Sequence, residues 1–281
     1  MIGKLGAGGM DRHALLRAAA ADLPGDTPRL DAELLLAHVL GEDRLRMLMG
    51  REPVSAPARA AFDALLARRR AFEPVAHLTG EREFWSLPIR VTPDVLVPRP
   101  DSETLIAEAL AHFAGRPPET VLDLGTGSGA LLLAALSEWP GARGLGIDRS
   151  DAALAVAREN GARLGLSARA AFAAGDWAEG VEGPFDLILC NPPYIEDGAE
   201  LMPDVARYEP AGALFGGADG LDCYRRLLPD VPRLLAPGGV ALFEFGLGQG
   251  PALLAMAGGL GMRARLADDL TGRARVLAIG A

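Results

Sequence analysis

From residue 119 onward the chain alternates short apolar runs, most of them ended by a glycine or an acid, with longer stretches of helical periodicity. Few folds accept that alternation. Strands joined through helices run parallel, and a parallel sheet has to be covered on both faces. The pattern predicts strands over 121–124, 144–148, 170–174, 185–190, 240–245, 263–266 and 275–279. Helices are predicted over 130–138, 152–160, 221–235 and 252–257, with a turn at Pro237-Gly238-Gly239 before the fifth strand. The expected class is α/β, built on a mostly parallel seven-stranded sheet.

The start of the chain follows a different grammar. Between 11 and 74, Thr27-Pro28 reads as a cap followed by a first-turn proline, Leu30, Leu34, Leu35 and Val39 recur at helical spacing, and Gly41 closes the segment. A second unit opens at Ser55-Ala56-Pro57 and carries Phe62, Leu65 and Leu66 as its apolar stripe. It ends in Arg68-Arg69-Arg70, charge that complements a helix macrodipole. A small all-helical domain over 11–80 is expected, and since it shows no chemistry its expected task is docking a substrate. Residues 81–97 form a connector, a β-hairpin with Phe84-Trp85 on one arm, Ser86-Leu87-Pro88 between and Ile89-Arg90-Val91 on the other, followed by Val95-Leu96-Val97. A stiff Pro98-Arg99-Pro100 segment then leads into an apolar-periodic helix capped by Asp101 or Ser102. Whether Arg99 and Glu103 only cap and solvate or take part in chemistry stays open at this level. The domain over 98–281 carries the sheet.

Composition removes several classes of function. No apolar run approaches the roughly 18–20 residues of a membrane span, so no membrane association is expected. The start MIGKLGAGGM lacks the apolar core of a signal peptide; residues 1–10 are expected to form a flexible tail or to precede a start at Met10. His13, His38, His77 and His112 are scattered and Cys190 and Cys223 lack ligand spacing, so no metal site is expected and the thiols fit a reducing, cytoplasmic setting. A formal net charge of −9 argues against stable nucleic-acid binding. The chain is expected to act as a monomer.

In open parallel sheets ligands sit beyond the carboxyl ends of the strands, where the residues with chemical potential gather here. Gly125, Gly127 and Gly129 follow the first strand and let backbone approach a ligand with no Cβ in the way. Asp148 ends the second strand, where a carboxylate can accept hydrogen bonds from both hydroxyls of a ribose. Together with Ala130 these glycines also satisfy the dinucleotide fingerprint, so they do not by themselves exclude a nicotinamide enzyme. A lysine-bearing phosphate cradle is excluded, because no Gly-Lys-Ser/Thr occurs. Two features favour S-adenosylmethionine. Asp123, two residues before the first glycine, is placed to order the loop and the methionine end, and the fourth strand ends in Asn191-Pro192-Pro193-Tyr194.

Those prolines fix φ and offer no N–H, so the chain must leave the sheet there as a stiff loop. The Asn191 side-chain oxygen and the Pro192 carbonyl are acceptors with no competing donor, and Tyr194 adds a flat face. Together they fit a planar NH2 group, gripping its hydrogens while the nitrogen stays open to an electrophile. An isolated Asn-Pro is more often only a turn. Its place after an apolar strand and downstream of the glycine loop makes it a site.

Read together, Asp123-Leu-Gly-Thr-Gly-Ser-Gly129, Asp148, Gly175-Asp176-Trp177 and Asn191-Pro-Pro-Tyr194 resemble the motifs of Rossmann-like class I methyltransferases. Glu73-Pro-Val-Ala-His-Leu-Thr-Gly80, Phe84-Trp85, Pro98-Arg-Pro-Asp-Ser-Glu103 and Tyr208-Glu209-Pro210 are similar to those of the release-factor glutamine methyltransferases, the PrmC/HemK family. The resemblance implies S-adenosyl-L-methionine as cofactor, held by Asp123, Gly125, Thr126, Gly127, Ser128, Gly129, Asp148, Trp177 and Asn191. It implies that Asn191, Pro192, Pro193 and Tyr194 receive the glutamine of a Gly-Gly-Gln motif in peptide chain release factors, with Asn191, Pro192 and Tyr194 catalytic. Ser102 and Ser128 stand where threonine is frequent in relatives, a change that keeps the hydroxyl. The rival use of the same loop is methyl transfer to an exocyclic amine of adenine or guanine in nucleic acid. Net acidity and the lack of a basic recognition domain weigh against it. A non-catalytic adaptor that keeps the sheet is the reading from another class, and intact acceptors at Asn191 and Pro192 weigh against that one.

Overall fold

The computed structural model describes residues 11–280; the expected tail, 1–10, lies outside the described residues. Backbone contacts divide the chain into two compact units. The first ends at Gly80 and also takes Met202–Tyr208, a segment inside the stretch 98–281; the second takes Glu81–Leu201 and the chain from Glu209.

The first unit is helical because its apolar residues recur at helical spacing between caps. Its helices are α1 (Arg12–Ala20), α2 (Pro28–Leu40), α3 (Arg44–Met49), α4 (Ala56–Arg70) and α5 (Val75–Thr79). Asp11, Asp43 and Ser55 each accept the backbone N–H three residues on, satisfying one of the donors a helix start leaves open. α2 opens with Pro28 and closes on Gly41 in the left-handed region, while Thr27 hydrogen-bonds Asp31 instead of capping. Leu15, Leu16, Leu35, Leu36, Met47 and Phe62 form the core. The arginine run at the end of α4 does more than complement the macrodipole. Arg68 pairs with Glu73, Arg70 with Asp22 at 2.7 Å, and Arg69 with Asp31 at 2.8 Å. The last pair is 8% exposed on either side, and a guanidinium that deep needs its carboxylate.

The second unit begins with a hairpin, β1 (Glu81–Phe84) and β2 (Leu87–Arg90). Phe84 pairs directly with Leu87, so the turn is Trp85-Ser86 and not the expected 86–88 segment. Both turn residues have positive φ, as a two-residue I′ turn requires, and Glu103 Oε1 accepts the Trp85 N–H at 2.7 Å. Glu103 opens α6 (Glu103–His112) after one 3₁₀ turn. Ser102 occupies the N-cap position, but its side chain does not cap the helix.

The main sheet contains β3 (Thr120–Leu124), β4 (Arg143–Asp148), β5 (Ala170–Ala174), β6 (Phe185–Cys190), β7 (Leu235–Glu244), β8 (Arg263–Asp268) and β9 (Ala274–Gly280). Their order is β5-β4-β3-β6-β7-β9-β8. β3 to β7 run parallel and β9 is antiparallel to both its neighbours, which makes the mostly parallel seven-stranded sheet that the alternation predicts. The helices that follow are α7 (Ala130–Glu138), α8 (Asp151–Arg163), α9 (Pro203–Tyr208), α10 (Asp222–Leu227), α11 (Val231–Leu234) and α12 (Gly250–Gly259), with α9 grouped in the first unit.

Two expectations fail around Pro237. The helix predicted over 221–235 is broken into α10, a 3₁₀ turn and α11, because Pro229 and Pro232 remove donors and crowd the preceding turn. Pro237-Gly238-Gly239 is a bulge inside β7 and not a turn ahead of it: Phe185 pairs with Leu235, and the next pair is Leu187 with Val240.

Candidate active site

The sheet reverses its order at β3, where the chain winds outward through β4 on one side and returns through β6 on the other. Leu124 pairs with Ile147 and with Cys190. The next residue on each strand, Gly125, Asp148 and Asn191, therefore emerges at one end of three adjacent strands. All three line a cavity of about 390 Å³, in the range of small-molecule sites. Gly127, Trp177 and Pro193 line it as well.

Hydrogen bonds hold the glycine loop to its neighbour strand. Ile147 O accepts the N–H groups of Gly125 and Thr126, each at 2.9 Å. Asp148 accepts the Gly127 N–H on Oδ2 and the Ser150 N–H on Oδ1, both at 2.9 Å. At Gly125 (φ +73°) a Cβ would come within 3.1 Å of the Trp177 ring, so the indole and bare backbone meet where no larger residue fits. Trp177 itself holds φ 58°, a conformation that costs a bulky residue energy and that only surrounding structure can impose.

Asp123 is buried behind the loop. Its Oδ2 accepts the Thr126 hydroxyl at 2.6 Å, whereas Oδ1 is buried without a partner. Burial pushes its carboxyl up to about 7, with the Thr126 hydrogen bond opposing the shift. The folded chain thus keeps the Asp123 proton to a higher pH than the unfolded chain, where Asp titrates at about 3.9. Stability due to that proton is complete below about pH 4 and is lost as the pH rises to about 7, at about 1.4 kcal/mol per unit. We expect Asp123→Asn to remove this slope in urea unfolding of the cofactor-free protein between pH 5 and 7. Equal slopes in parent and variant would show that the carboxyl is already ionised in the fold.

The acceptor loop is fixed from several sides. Asn191 Nδ2 donates to Ser102 Oγ at 3.0 Å, and among the described residues its Oδ1 accepts no hydrogen bond. The Tyr194 hydroxyl donates to Glu244 Oε1 at 3.2 Å, and Gln249 Nε2 donates to the Tyr194 carbonyl at 2.9 Å. Burial raises the Tyr194 phenol and the Glu244 carboxyl; for the carboxyl, the nearby Ser102 and Tyr194 hydroxyls and the charge of Arg275 work in the opposite direction. Beyond the loop, Gly216 N–H donates to Ile195 O at 2.8 Å, and a Cβ at Gly216 would fall 2.5 Å from Pro193 O.

Half of the residues expected here reach the cavity wall: Gly125, Gly127, Asp148, Trp177, Asn191 and Pro193. Asp123, Thr126, Ser128, Gly129, Pro192 and Tyr194 do not line it; they shape the loops behind it. Ser128 O accepts from Asn160 Nδ2 at 2.9 Å, and Gly129 in the left-handed region precedes α7. The wall also includes Leu96, Arg149, Phe215, Gly217, Cys223 and Arg226, none of them assigned to the site from sequence. Of these only the glycine pair after Phe215 carried a signal, that of backbone in close approach. Arg99 is paired: its Nη2 donates to both oxygens of Glu209, at 2.7 and 2.8 Å, and fastens the Pro98–Pro100 segment to Glu209-Pro210. Among the described residues there is no cluster of three or more His, Cys, Asp or Glu side chains placed for a metal ion and no helix long and apolar enough to cross a membrane.

Comparison with known proteins agrees with this architecture. The PrmC N-terminal domain model matches residues 14–80 and a methyltransferase domain model matches 116–244. The release factor glutamine methyltransferase of Rhodospirillum rubrum is 50% identical over 90% of the chain and 78% of its own length. That of Cereibacter sphaeroides is 44% identical over 95% of both. Among solved structures, the ribosomal protein L11 methylase of Lactobacillus delbrueckii subsp. bulgaricus superimposes with a TM-score of 0.50 at 25% identity, over 68% of this chain and 83% of its own.

Proposed function

This chain belongs to the release factor glutamine methyltransferases, and from that premise we propose that it methylates the side-chain amide nitrogen of the glutamine in a Gly-Gly-Gln motif of peptide chain release factors, using S-adenosyl-L-methionine. The residues present fit that cofactor. Asp148 places a carboxylate on the cavity wall for ribose hydroxyls. Gly125 leaves bare backbone against Trp177, and Asp123, buried behind the glycine loop, orders that loop through the Thr126 hydroxyl. When bound, the cofactor supplies a methyl group on a positively charged sulfur.

The remaining work falls to the acceptor loop, and Asn191 is the observation that carries the proposal. Its amide is held by the nitrogen end, with the oxygen end unpaired beside the cavity. A glutamine amide is a weak nucleophile because its nitrogen lone pair is delocalised into the carbonyl. Acceptors at Asn191 Oδ1 and the Pro192 carbonyl would hold the two hydrogens and favour the positive charge that develops on nitrogen. No strong base is needed, since the proton can leave after the methyl group has arrived. The unpaired thiols Cys190 and Cys223 fit a cytoplasmic setting for this activity.

The rival substrate, an exocyclic base amine, would need a positively charged approach, and the chain carries a formal net charge of −9. Incubation with methyl-labelled cofactor and purified release factor, followed by peptide mass spectrometry, tests the proposal. One added methyl on the motif glutamine is the expected result. An unmodified release factor alongside methylated DNA or RNA would transfer the assignment to the rival.

A further inference from the structure

Outside the cavity, Gln249 holds the exit of the acceptor loop. The Tyr194-Ile195 peptide is pinned at both ends: the Ile195 N–H donates to Leu214 O at 3.0 Å, and the Tyr194 carbonyl accepts from Gln249 Nε2 at 2.9 Å. Gln249 occupies the N-cap position of α12, but its side chain does not cap the helix. Its Oε1 accepts the Gly246 N–H at 2.9 Å, and its Nε2 also reaches the Gly220 carbonyl, at 3.4 Å. A backbone N–H can only donate and a carbonyl can only accept, so these partners fix which end of the amide is which. One planar group thus joins three segments: the exit of β7 at Gly246, the acceptor loop at Tyr194 and the chain at Gly220. The fit is close, since at Gly220 (φ +70°) a Cβ would overlap the Tyr194 carbonyl and come within 2.6 Å of Gln249 Nε2.

We propose that Gln249 is a positioning residue for methyl transfer: through the Tyr194 carbonyl it fixes the exit of the acceptor loop, and with it the direction of the Pro192 carbonyl. The entry is already set, because Asn191 leaves the end of β6 and its amide is held by Ser102. The proline rings fix φ at 192 and 193, so the freedom between the two ends lies in the ψ rotations, which swing the carbonyls. Anchoring the Tyr194-Ile195 peptide leaves those rotations no room. A carbonyl that grips an NH2 hydrogen has to keep its direction, and a misplacement of about 1 Å can cost about a hundredfold in rate. Gln249, Tyr194 and Gly220 do not line the cavity, so the effect falls on the acceptor side.

The kinetic part of this inference rests on the proposed methyl transfer; the structural part does not. Tyr194 is the only tyrosine of the chain followed by isoleucine, so ¹³C-carbonyl tyrosine combined with ¹⁵N-isoleucine marks that one peptide in the full-length protein. In Gln249→Ala the Tyr194 carbonyl signal is expected to shift and the Ile195 N–H to exchange with water at least about tenfold faster. Gln249→Glu keeps the length and the acceptor for Gly246 but sets a carboxylate against the Tyr194 and Gly220 carbonyls, so it is expected to fare no better than alanine. Both variants are expected to lower kcat by about ten- to a hundredfold at saturating S-adenosylmethionine, with S-adenosylhomocysteine affinity within about twofold of the parent. A general loss of fold would not separate turnover from affinity in this way.

An unchanged Tyr194-Ile195 signal in both variants, a glutamate variant that matches the parent, or a parallel loss of cofactor affinity would each overturn the proposal. Gln249 is also the only glutamine in the chain, so side-chain ¹⁵N-glutamine labelling of the parent yields a single NH2 group and needs no variant. Held on two carbonyls, that group is expected to exchange with water at least about tenfold more slowly than free glutamine. Equal rates would overturn the proposal even if neither variant folds. A parent enzyme that leaves release factor unmethylated would refute the functional reading alone, and the peptide and NH2 signals would still decide whether Gln249 holds the loop.

Discussion

Asn191→Ala is expected to lower turnover by about 100-fold to 1,000-fold at saturating S-adenosylmethionine, the loss typical of removing one preorganised polar group that follows developing charge. Alanine takes away the acceptor and leaves one substrate hydrogen unpaired in a dry site, a fault worth about 1–3 kcal/mol before any effect on the transition state. It also leaves Ser102 Oγ without the N–H it accepts. Asn191→Asp separates these roles. The acid keeps an acceptor for the substrate but brings a charge to the cavity and cannot donate to Ser102, so its activity should fall between parent and alanine variant. Cofactor affinity has to be measured alongside, since Asn191 lines the same cavity as Asp148. An alanine variant within about threefold of the parent, a difference of about 0.7 kcal/mol, would mean that the loop is only a turn.

The sequence resolves what depends on local pattern and loses what depends on distant pairing. Every strand of the main sheet is legible as a short run ending near its true terminus, and Gly125, Asp148 and Asn191 are legible because strand ends are where such a sheet binds ligands. The hairpin turn at Trp85-Ser86 is not, since neither residue advertises positive φ and the partner that holds it, Glu103, lies on another element. The arginine run at 68–70 has a sufficient local explanation in the macrodipole, yet Arg69 is committed to Asp31 on α2. Likewise Ser102 looks like a cap and Glu244 like one more strand residue until Asn191 donates to the first and Tyr194 to the second. Each missed residue answers to a partner on another element, 18 positions away for Trp85 and 89 for Ser102, information that neither periodicity nor motif spacing contains.

Asp148→Ala should weaken S-adenosylmethionine binding by on the order of a hundredfold or more, because hydrogen bonds to a charged carboxylate contribute about 1.5–3 kcal/mol each and a ribose offers two donors. The structure adds a second cost. Asp148 already accepts the Gly127 N–H on one oxygen and the Ser150 N–H on the other, so it fixes the glycine loop and the start of α8 even without a ligand. Each carboxylate oxygen retains a further lone pair for a ribose hydroxyl. Asparagine cannot reproduce this arrangement. Its NH2 end would face either Gly127 N–H or Ser150 N–H, donor against donor, and only one oxygen would remain to accept. Asp148→Asn is therefore expected to bind within a few-fold of the alanine variant, although it is the closest replacement in shape. Calorimetric titration with S-adenosylhomocysteine measures both variants in the absence of turnover. Parent-like affinity in Asp148→Asn would rule out a requirement for two acceptors, and tight NADH binding by the parent with no response to S-adenosylhomocysteine would replace the cofactor assignment itself.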